Sequence, residues 1–359
     1  MPGDHDVDLM GGGSEKEGLR RPPTGMREIR LVHFGLGPIG LRVARLARSR
    51  SGLRSVLAVD IDPSLEGRLL DDLLDEGMPD GDGVRITADL EALPASIAAP
   101  QVVIHCTSSS LLDVLPELLT CVGLGLNVVT TCEELSYPWS EAPTEASRLH
   151  RACLEAGVTV LSAGVNPGFA MDYLPIVLSG ASGQVDSVRV YRRQDAGSRR
   201  IPLQRKVGVG LEVSEFNILT AQGRLGHIGL RQSAQALAAT FGWPISDIEE
   251  SIEPVVATEE TATALGPVNA GQVLGLKQVL GVGPPGAEYI ILELEMAVGL
   301  SEPKDEIYLR GEPDLQLIVP GGLHGDSATA ALVVNALPYI VDALPGVITM
   351  ADIASIHPW

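Results

Sequence analysis

The chain has 359 residues and a mass of 37.8 kDa, a length at which one core tends to split, so two domains are expected. Its 26 basic residues face 46 acidic ones, a net charge of −20, and a surface of that sign repels nucleic-acid phosphates and anionic lipid alike. The four cysteines form no C-x-x-C pair, the N-terminus carries acids where a signal peptide needs an apolar run, and no charge-free apolar stretch of about 18 residues occurs. These features predict a cytoplasmic protein without a metal, a disulfide framework or a membrane span.

Met1–Gly25 reads as a disordered leader, and Met26 stands directly before the first strand pattern. Residues 26–165 have the rhythm of a dinucleotide-binding domain. Ile29–Phe34 is a short apolar run, followed by the Gly-rich turn Gly35–Gly40 and a helix with Leu41, Ala44 and Ala47 at helical spacing. Strands are predicted at Ser55–Asp60, weakly at Val84–Ala88, and at Gln101–Cys106, Leu126–Thr131 and Val158–Leu161. Helices are predicted at Leu111–Leu124 and Thr144–Ala156. Strands alternating with helices mean a parallel sheet with right-handed crossovers, a Rossmann arrangement.

After Gly164 the period changes. Gln184–Arg193 alternates and predicts a strand with one wet face, and Leu230–Thr240 predicts a helix stopped by Gly242–Pro244. Gln272–Val282, Glu288–Val298 and Leu315–Val319 are longer alternating strands. Residues 166–325 are therefore expected to form a second domain of α+β class, on an open mixed or antiparallel sheet covered by helix on one face, to which the resemblance described below assigns substrate binding and dimerisation. Asp326–Asp342 is an apolar helix within a C-terminal segment, 326–359, expected to pack back at the domain junction, with Asp326 or Ser327 as its cap.

GLGPIG is G-x-G-x-x-G between a predicted strand and a predicted helix. Gly35 suits the tight turn, Gly37 the approach of a pyrophosphate and Gly40 the packing of helix on strand. Leu36, Pro38 and Ile39 complete the phosphate-binding turn. Asp60, twenty residues past Gly40 at the end of the second strand, is placed to bind a ribose diol and to repel a 2'-phosphate, which favours NAD; Arg42 and Arg68 leave NADP open. The same aspartate also suits a simple turn cap.

Ligands of a doubly wound sheet sit at the carboxyl ends of its strands. One such end carries Cys106, Thr107 and Ser108, expected beside the nicotinamide-side ribose. The next carries Thr131, Cys132 and two adjacent acids, Glu133 and Glu134, flanked by Tyr137 and Trp139. Two glutamates also suit a solvated helix start; the aromatic flank favours a pocket wall. The third end, Ser162–Asp172, places Asn166 at the nicotinamide amide or the substrate, with Phe169 and Tyr173 following. In the second half Arg192, Asn217, His227 and His324 are the polar candidates, of which Arg192, His227 and His324 are taken as pocket-lining.

FGLGPIG from Phe34, AVDIDP, TTCEELSYPW from Thr131, AGVNPGFAMD from Ala163 and GDSATAALVVNALP from Gly325 together resemble the dihydrodipicolinate reductase-like oxidoreductases, and within them the 2,4-diaminopentanoate dehydrogenase and native amine dehydrogenase group. The resemblance spans nearly the whole folded chain. It implies an NAD(P)-binding domain, a second domain that closes over the cofactor and supplies contacts for a homodimer, and interconversion of a small amine with a ketone or aldehyde plus ammonia. It also implies a catalytic glutamate at Glu133 or Glu134, and Glu133 is favoured as the nearer to the strand end. The His/Lys-bearing segment of dihydrodipicolinate reductases proper has no match here, and none of the four lysines sits in a catalytic motif. Two neighbouring carboxylates, if both face the pocket, raise each other's pKa and make one a base near neutrality. The alternatives are a reductase of another carbonyl or imine, an amino acid dehydrogenase using Arg192 or Arg193 as carboxylate clamp, and a dinucleotide-binding sensor without turnover.

Overall fold

The computed structural model describes residues 28–74, 83–92, 101–197, 199, 201–353 and 356–358; the leader expected at 1–25 lies outside them. The chain begins with β1 (Ile29–Phe34), α1 (Pro38–Arg48), β2 (Leu53–Val59), β3 (Ile86–Thr87), β4 (Val102–His105), α2 (Leu111–Gly123), β5 (Asn127–Thr130), α3 (Pro143–Ala156) and β6 (Thr159–Ser162). These strands pair in parallel in the order β3-β2-β1-β4-β5-β6, a Rossmann-like layer. Every residue of β4 and β6 is buried, which is why both read as short continuous apolar runs rather than alternating ones. On one face lie α2 and α3. Leu115 and Leu118 of α2 are buried there, each contributing about 1.5–3 kcal/mol of transfer free energy. Pro38 fits the first turn of α1, and Arg45 and Arg48 in its last turn complement the helix dipole.

The second half comprises α4 (Tyr173–Ser179), β7 (Gln184–Asp195), α5 (Ile201–Lys206), α6 (Val213–Ala221), α7 (Leu230–Phe241), β8 (Ile248–Val256), the hairpin β9 (Thr261–Thr263) and β10 (Gly266–Val268), β11 (Val273–Val282), β12 (Ile290–Ala297), β13 (Lys304–Glu312) and β14 (Leu315–Pro320). Six strands form the expected mixed sheet in the order β14-β13-β7-β12-β11-β8, antiparallel except for β7 with β12. Helices α4, α6 and α7 cover one face, and Tyr191, Arg189 and Tyr308 stand on the other. The predictions singled out neither β8 nor β13. β8 is an edge strand carrying Glu249, Glu250 and Glu253, charges that protect an open edge. β13 opens Lys304–Asp305–Glu306, a charged triplet typical of a loop. Asp305 is tolerated inside the sheet because Arg192 of the neighbouring strand lies 2.6 Å away and Gln194 Nε2 and Leu323 N donate to it at 3.1 and 2.8 Å.

The chain ends with α8 (Gly325–Ile340) and β15 (Gly346–Ile348). α8 packs along α1 and reaches β5 and β6, while β15 pairs in parallel with β6 as a seventh strand of the first sheet. The cap of α8 differs from the expected Asp326 or Ser327: His324 occupies the N-cap position and accepts from Ser327 N at 3.5 Å. Asp326 instead receives a hydrogen bond from Arg199 at 2.8 Å. No helix among the described residues is long and apolar enough to cross a membrane, and no group of three metal-ligating side chains comes together there.

Candidate active site

Strand order reverses between β1 and β4, and there the connections diverge to leave a crevice at the strands' carboxyl ends. A cleft of about 330 Å³ occupies this place, walled on one side by the ends of β1, β4, β5 and β6 and on the other by α5, its approach and the start of α8.

The Gly-rich turn forms the first wall. Gly35 has φ +90°, and a Cβ there or at Gly40 would overlap backbone: the Cys106 carbonyl from Gly35, the Gly35 carbonyl from Gly40. Gly37 is different. It has an ordinary φ of −63°, and a Cβ on it would meet nothing within 4 Å. Here the missing side chain leaves room on the cleft side. No side chain caps α1, so the backbone donors of its first turn are left for a ligand. These residues fit the diphosphate of a dinucleotide. Asp60 accepts from Leu36 N at 2.6 Å and from Asp62 N at 2.9 Å, tying the turn to the end of β2; it serves as the turn cap and remains at the strand end where a ribose diol would come.

Cys106, Thr107 and Ser108 line the cleft. Thr107 donates to Glu117 at 2.9 Å; Glu117 also meets His105 Nε2 at 2.7 Å, a contact that holds its carboxyl below the usual carboxylate range. Burial pushes the Cys106 thiol up to about 12, so it stays a neutral thiol. Thr131 lines the cleft too. Cys132 does not: it is fully buried, its Sγ donating to the Ser109 carbonyl at 3.2 Å.

The adjacent acids part company. Residues 133–136 form a short 3-10 turn, and Glu134 Oε2 accepts from Leu111 N at 2.7 Å, serving the open N-terminus of α2 and lining a separate cavity. Glu133 lines the main cleft, and its Oε2 is buried without a hydrogen-bond partner. The side-by-side carboxylates that the sequence suggested are therefore not formed. Lys206 Nζ, at the end of α5, approaches Glu133 Oε2 to 4.0 Å.

Asn166 is also in the cleft, 8% exposed, with Oδ1 buried and unpartnered. His227 reaches over it from the second half, Nε2 3.0 Å from the Asn166 carbonyl, and burial pushes its pKa down, which keeps the ring neutral. Arg192 lines the cleft but is committed elsewhere: one nitrogen meets Asp305 at 2.6 Å and another the Leu323 carbonyl at 2.7 Å. Its neighbour Arg193 pairs with Glu295 at 2.9 Å. Neither is free to clamp a substrate carboxylate.

Five expected pocket residues lie elsewhere. Trp139 packs edge-on against His150 and lines a hollow beside Tyr339 and Leu344, and Tyr137 senses Asp352 on the same side. The chain turns through the 3-10 segment before reaching them, which carries both rings away from the cleft. Phe169 and Tyr173 meet at a tilt of 42° with centroids 5.9 Å apart and pack on the core below the turn. His324 is spent as the α8 cap and does not line the cleft, and the further candidate Asn217 is exposed on α6. Lys206 and Arg199 line the cleft without having been singled out. Four basic residues among positions 199–206 of a chain with net charge −20 were the available signal. Buried Gln204 holds their segment, its Nε2 donating to the carbonyls of Ala196 and Arg199 at 3.1 and 3.0 Å.

A 2,4-diaminopentanoate dehydrogenase from Acetoanaerobium sticklandii is 29% identical over 343 residues, 91% of this chain and 94% of that protein. An amine dehydrogenase from Streptomyces virginiae is 23% identical over 90% of this chain and 96% of that protein. The solved structure of an amine dehydrogenase from Mycobacterium smegmatis superposes with a TM-score of 0.80 at 25% identity, covering 92% of this chain and 98% of that one. Residues 169–359 match the family model of the 2,4-diaminopentanoate dehydrogenase C-terminal domain, and the chain belongs to that family.

Proposed function

We propose that the protein is an NAD(P)-dependent amine dehydrogenase, converting a small amine and water to a ketone or aldehyde and ammonia, and running equally in reverse. The observation that carries this reading is the buried Glu133 carboxylate oxygen, which accepts no hydrogen bond and has Lys206 Nζ 4.0 Å away, held in the same cleft as the open side of Gly37. The names of the relatives support it. The reaction balances as follows: a protonated amine, the oxidised dinucleotide and a water give a carbonyl compound, an ammonium ion, the reduced dinucleotide and a proton. A bound nicotinamide would supply the two-electron chemistry, taking the hydrogen of the amine-bearing carbon. The chain's own part is charge, position and a proton acceptor. Glu133 pairs with the substrate ammonium and takes its proton, which frees the nitrogen lone pair to drive electrons toward the departing hydrogen. It then faces the cationic iminium that results and returns a proton as ammonia leaves.

Asp60 favours NAD. Glu134 is a capping group rather than a second base. The open face of the second sheet, with Tyr191 and Tyr308 at its centre, is offered as the homodimer contact. Lys206 and Arg199 favour one variant reading, in which the amine also bears a carboxylate; the Nε of Arg199 is buried without a partner. Scanning small amines and their amino acid counterparts with NAD and with NADP, following NAD(P)H absorbance, tests the reading. Amine-dependent reduction is expected with at least one dinucleotide; reduction only with alcohols, or with nothing, would contradict it.

A further inference from the structure

Two oxygens in the cleft accept no hydrogen bond. Glu133 Oε2, with only Lys206 Nζ near it at 4.0 Å, and Asn166 Oδ1 are each buried without a hydrogen-bond partner, although the great majority of buried polar groups find one. The fold holds their two segments side by side. Glu133 follows β5 and Asn166 follows β6, neighbouring parallel strands in which Thr130 is registered with Ser162. The Ser162 hydroxyl donates to the Cys132 carbonyl at 2.7 Å, bolting one strand end to the other. His227 braces the Asn166 backbone from the opposite wall at 3.0 Å. Both oxygens can only accept. Whatever relieves them must therefore bring at least two hydrogens on donor atoms into the cleft.

In the reaction proposed above, on which this inference rests, the substrate ammonium, the free amine and water all bring two such hydrogens, and so does the cation left once the carbon has lost its hydrogen. The unsubstituted iminium, a nitrogen doubly bonded to carbon, carries two N–H bonds and a positive charge. An iminium formed from methylamine carries one N–H and would set a methyl group against the second oxygen.

We propose that Glu133 Oε2 and Asn166 Oδ1 form a two-acceptor cradle for the paired N–H bonds of an unsubstituted iminium, so that Asn166 selects ammonia over alkylamines as the nitrogen donor. Discrimination of this kind is strong because the wrong substrate leaves a buried acceptor unpaired.

The test is reductive amination of one ketone by ammonia and by methylamine, using the full-length protein as wild type, Asn166→Ala and Asn166→Asp, with the dissociation constant of NAD(P)H measured for each by fluorescence. The wild type is expected to favour ammonia in kcat/KM by roughly tenfold to a hundredfold, the range a single unpaired buried acceptor commands. In Asn166→Ala that ratio should collapse to within about threefold, through loss of ammonia activity, with cofactor affinity unchanged. Asn166→Asp keeps an acceptor in place and should restore the ratio; it carries the test if the alanine variant does not fold. The proposal is overturned if the wild type uses methylamine as well as ammonia. It is overturned equally if Asn166→Ala keeps the ratio and instead weakens NAD(P)H binding, which would assign Oδ1 to the nicotinamide carboxamide. A wild type that aminates no ketone at all removes the amine dehydrogenase reading, and the cradle with it.

Discussion

Glu133 and Glu134 are neighbours with the same side chain and opposite employment. Their place at a strand end was legible in the sequence, because a doubly wound sheet gathers ligands at such ends. Which one enters the cleft was not, because that depends on the sense of a single 3-10 turn and on α2 lacking a side-chain cap of its own. Glu134 fills that vacancy, setting a negative charge against the positive end of the helix. Glu134→Ala should therefore cost about 1 kcal/mol of stability, as lost helix caps do, and leave amine turnover almost untouched. Urea denaturation and steady-state rates on the same preparation check both halves; a large loss of turnover with unchanged stability would reverse the assignment. Lys206 escaped notice for a related reason. It lies on α5, a helix of six residues with too little length for periodicity to show.

Elements marked by a period or by an apolar run between turn signals were found within a residue or two, from β1 through β6, the weak β3 included, and again for β7, α7, β11 and β12. Those without one were missed. β15 has three residues, and nothing in GVI says that it extends a sheet begun more than 300 residues earlier. The Gly-rich element, by contrast, was readable almost atom by atom, since backbone closeness demands glycine at Gly35 and Gly40. Gly37 makes the sharper test because the protein itself does not need it. Gly37→Val should fold normally, its side chain entering open space, and should weaken dinucleotide binding by about tenfold or more by occupying the helix N-terminus that a diphosphate would use. Circular dichroism with an NAD(P)H titration decides this. Unchanged affinity would mean that the turn is structural only.

Across the whole molecule, acid stability is tied to a histidine on β1, an interior strand of the first sheet. Burial pushes the pKa of His33 from 6.5 down to about 4. The unfolded chain therefore binds more protons than the native one in this window, and stability falls as pH drops from 6.5 toward 4, by about 3 kcal/mol in all from this group. Asp172, whose carboxyl burial pushes up, works in the opposite sense, so the comparison is with a variant rather than with the absolute slope. His33→Leu should flatten the change in urea midpoint between neutral and mildly acid pH; an identical dependence in both proteins would contradict the assignment. The cleft, too, belongs to the molecule as a whole. It is closed by links between distant parts of the chain: Arg42 of α1 to Ser327 at 2.5 Å, Arg199 to Asp326 of α8, and Lys206 across to Glu133. Glu133 is the carboxylate inside that enclosure that accepts no hydrogen bond, which makes Glu133→Gln the most direct measurement. With NAD(P)+ and amine both saturating, turnover should fall by roughly a hundredfold to ten-thousandfold, the range of a lost general base, while the dissociation constant for NAD(P)H stays where it was. A variant that still oxidises the amine within about twofold of the wild-type rate would show that the proton goes elsewhere.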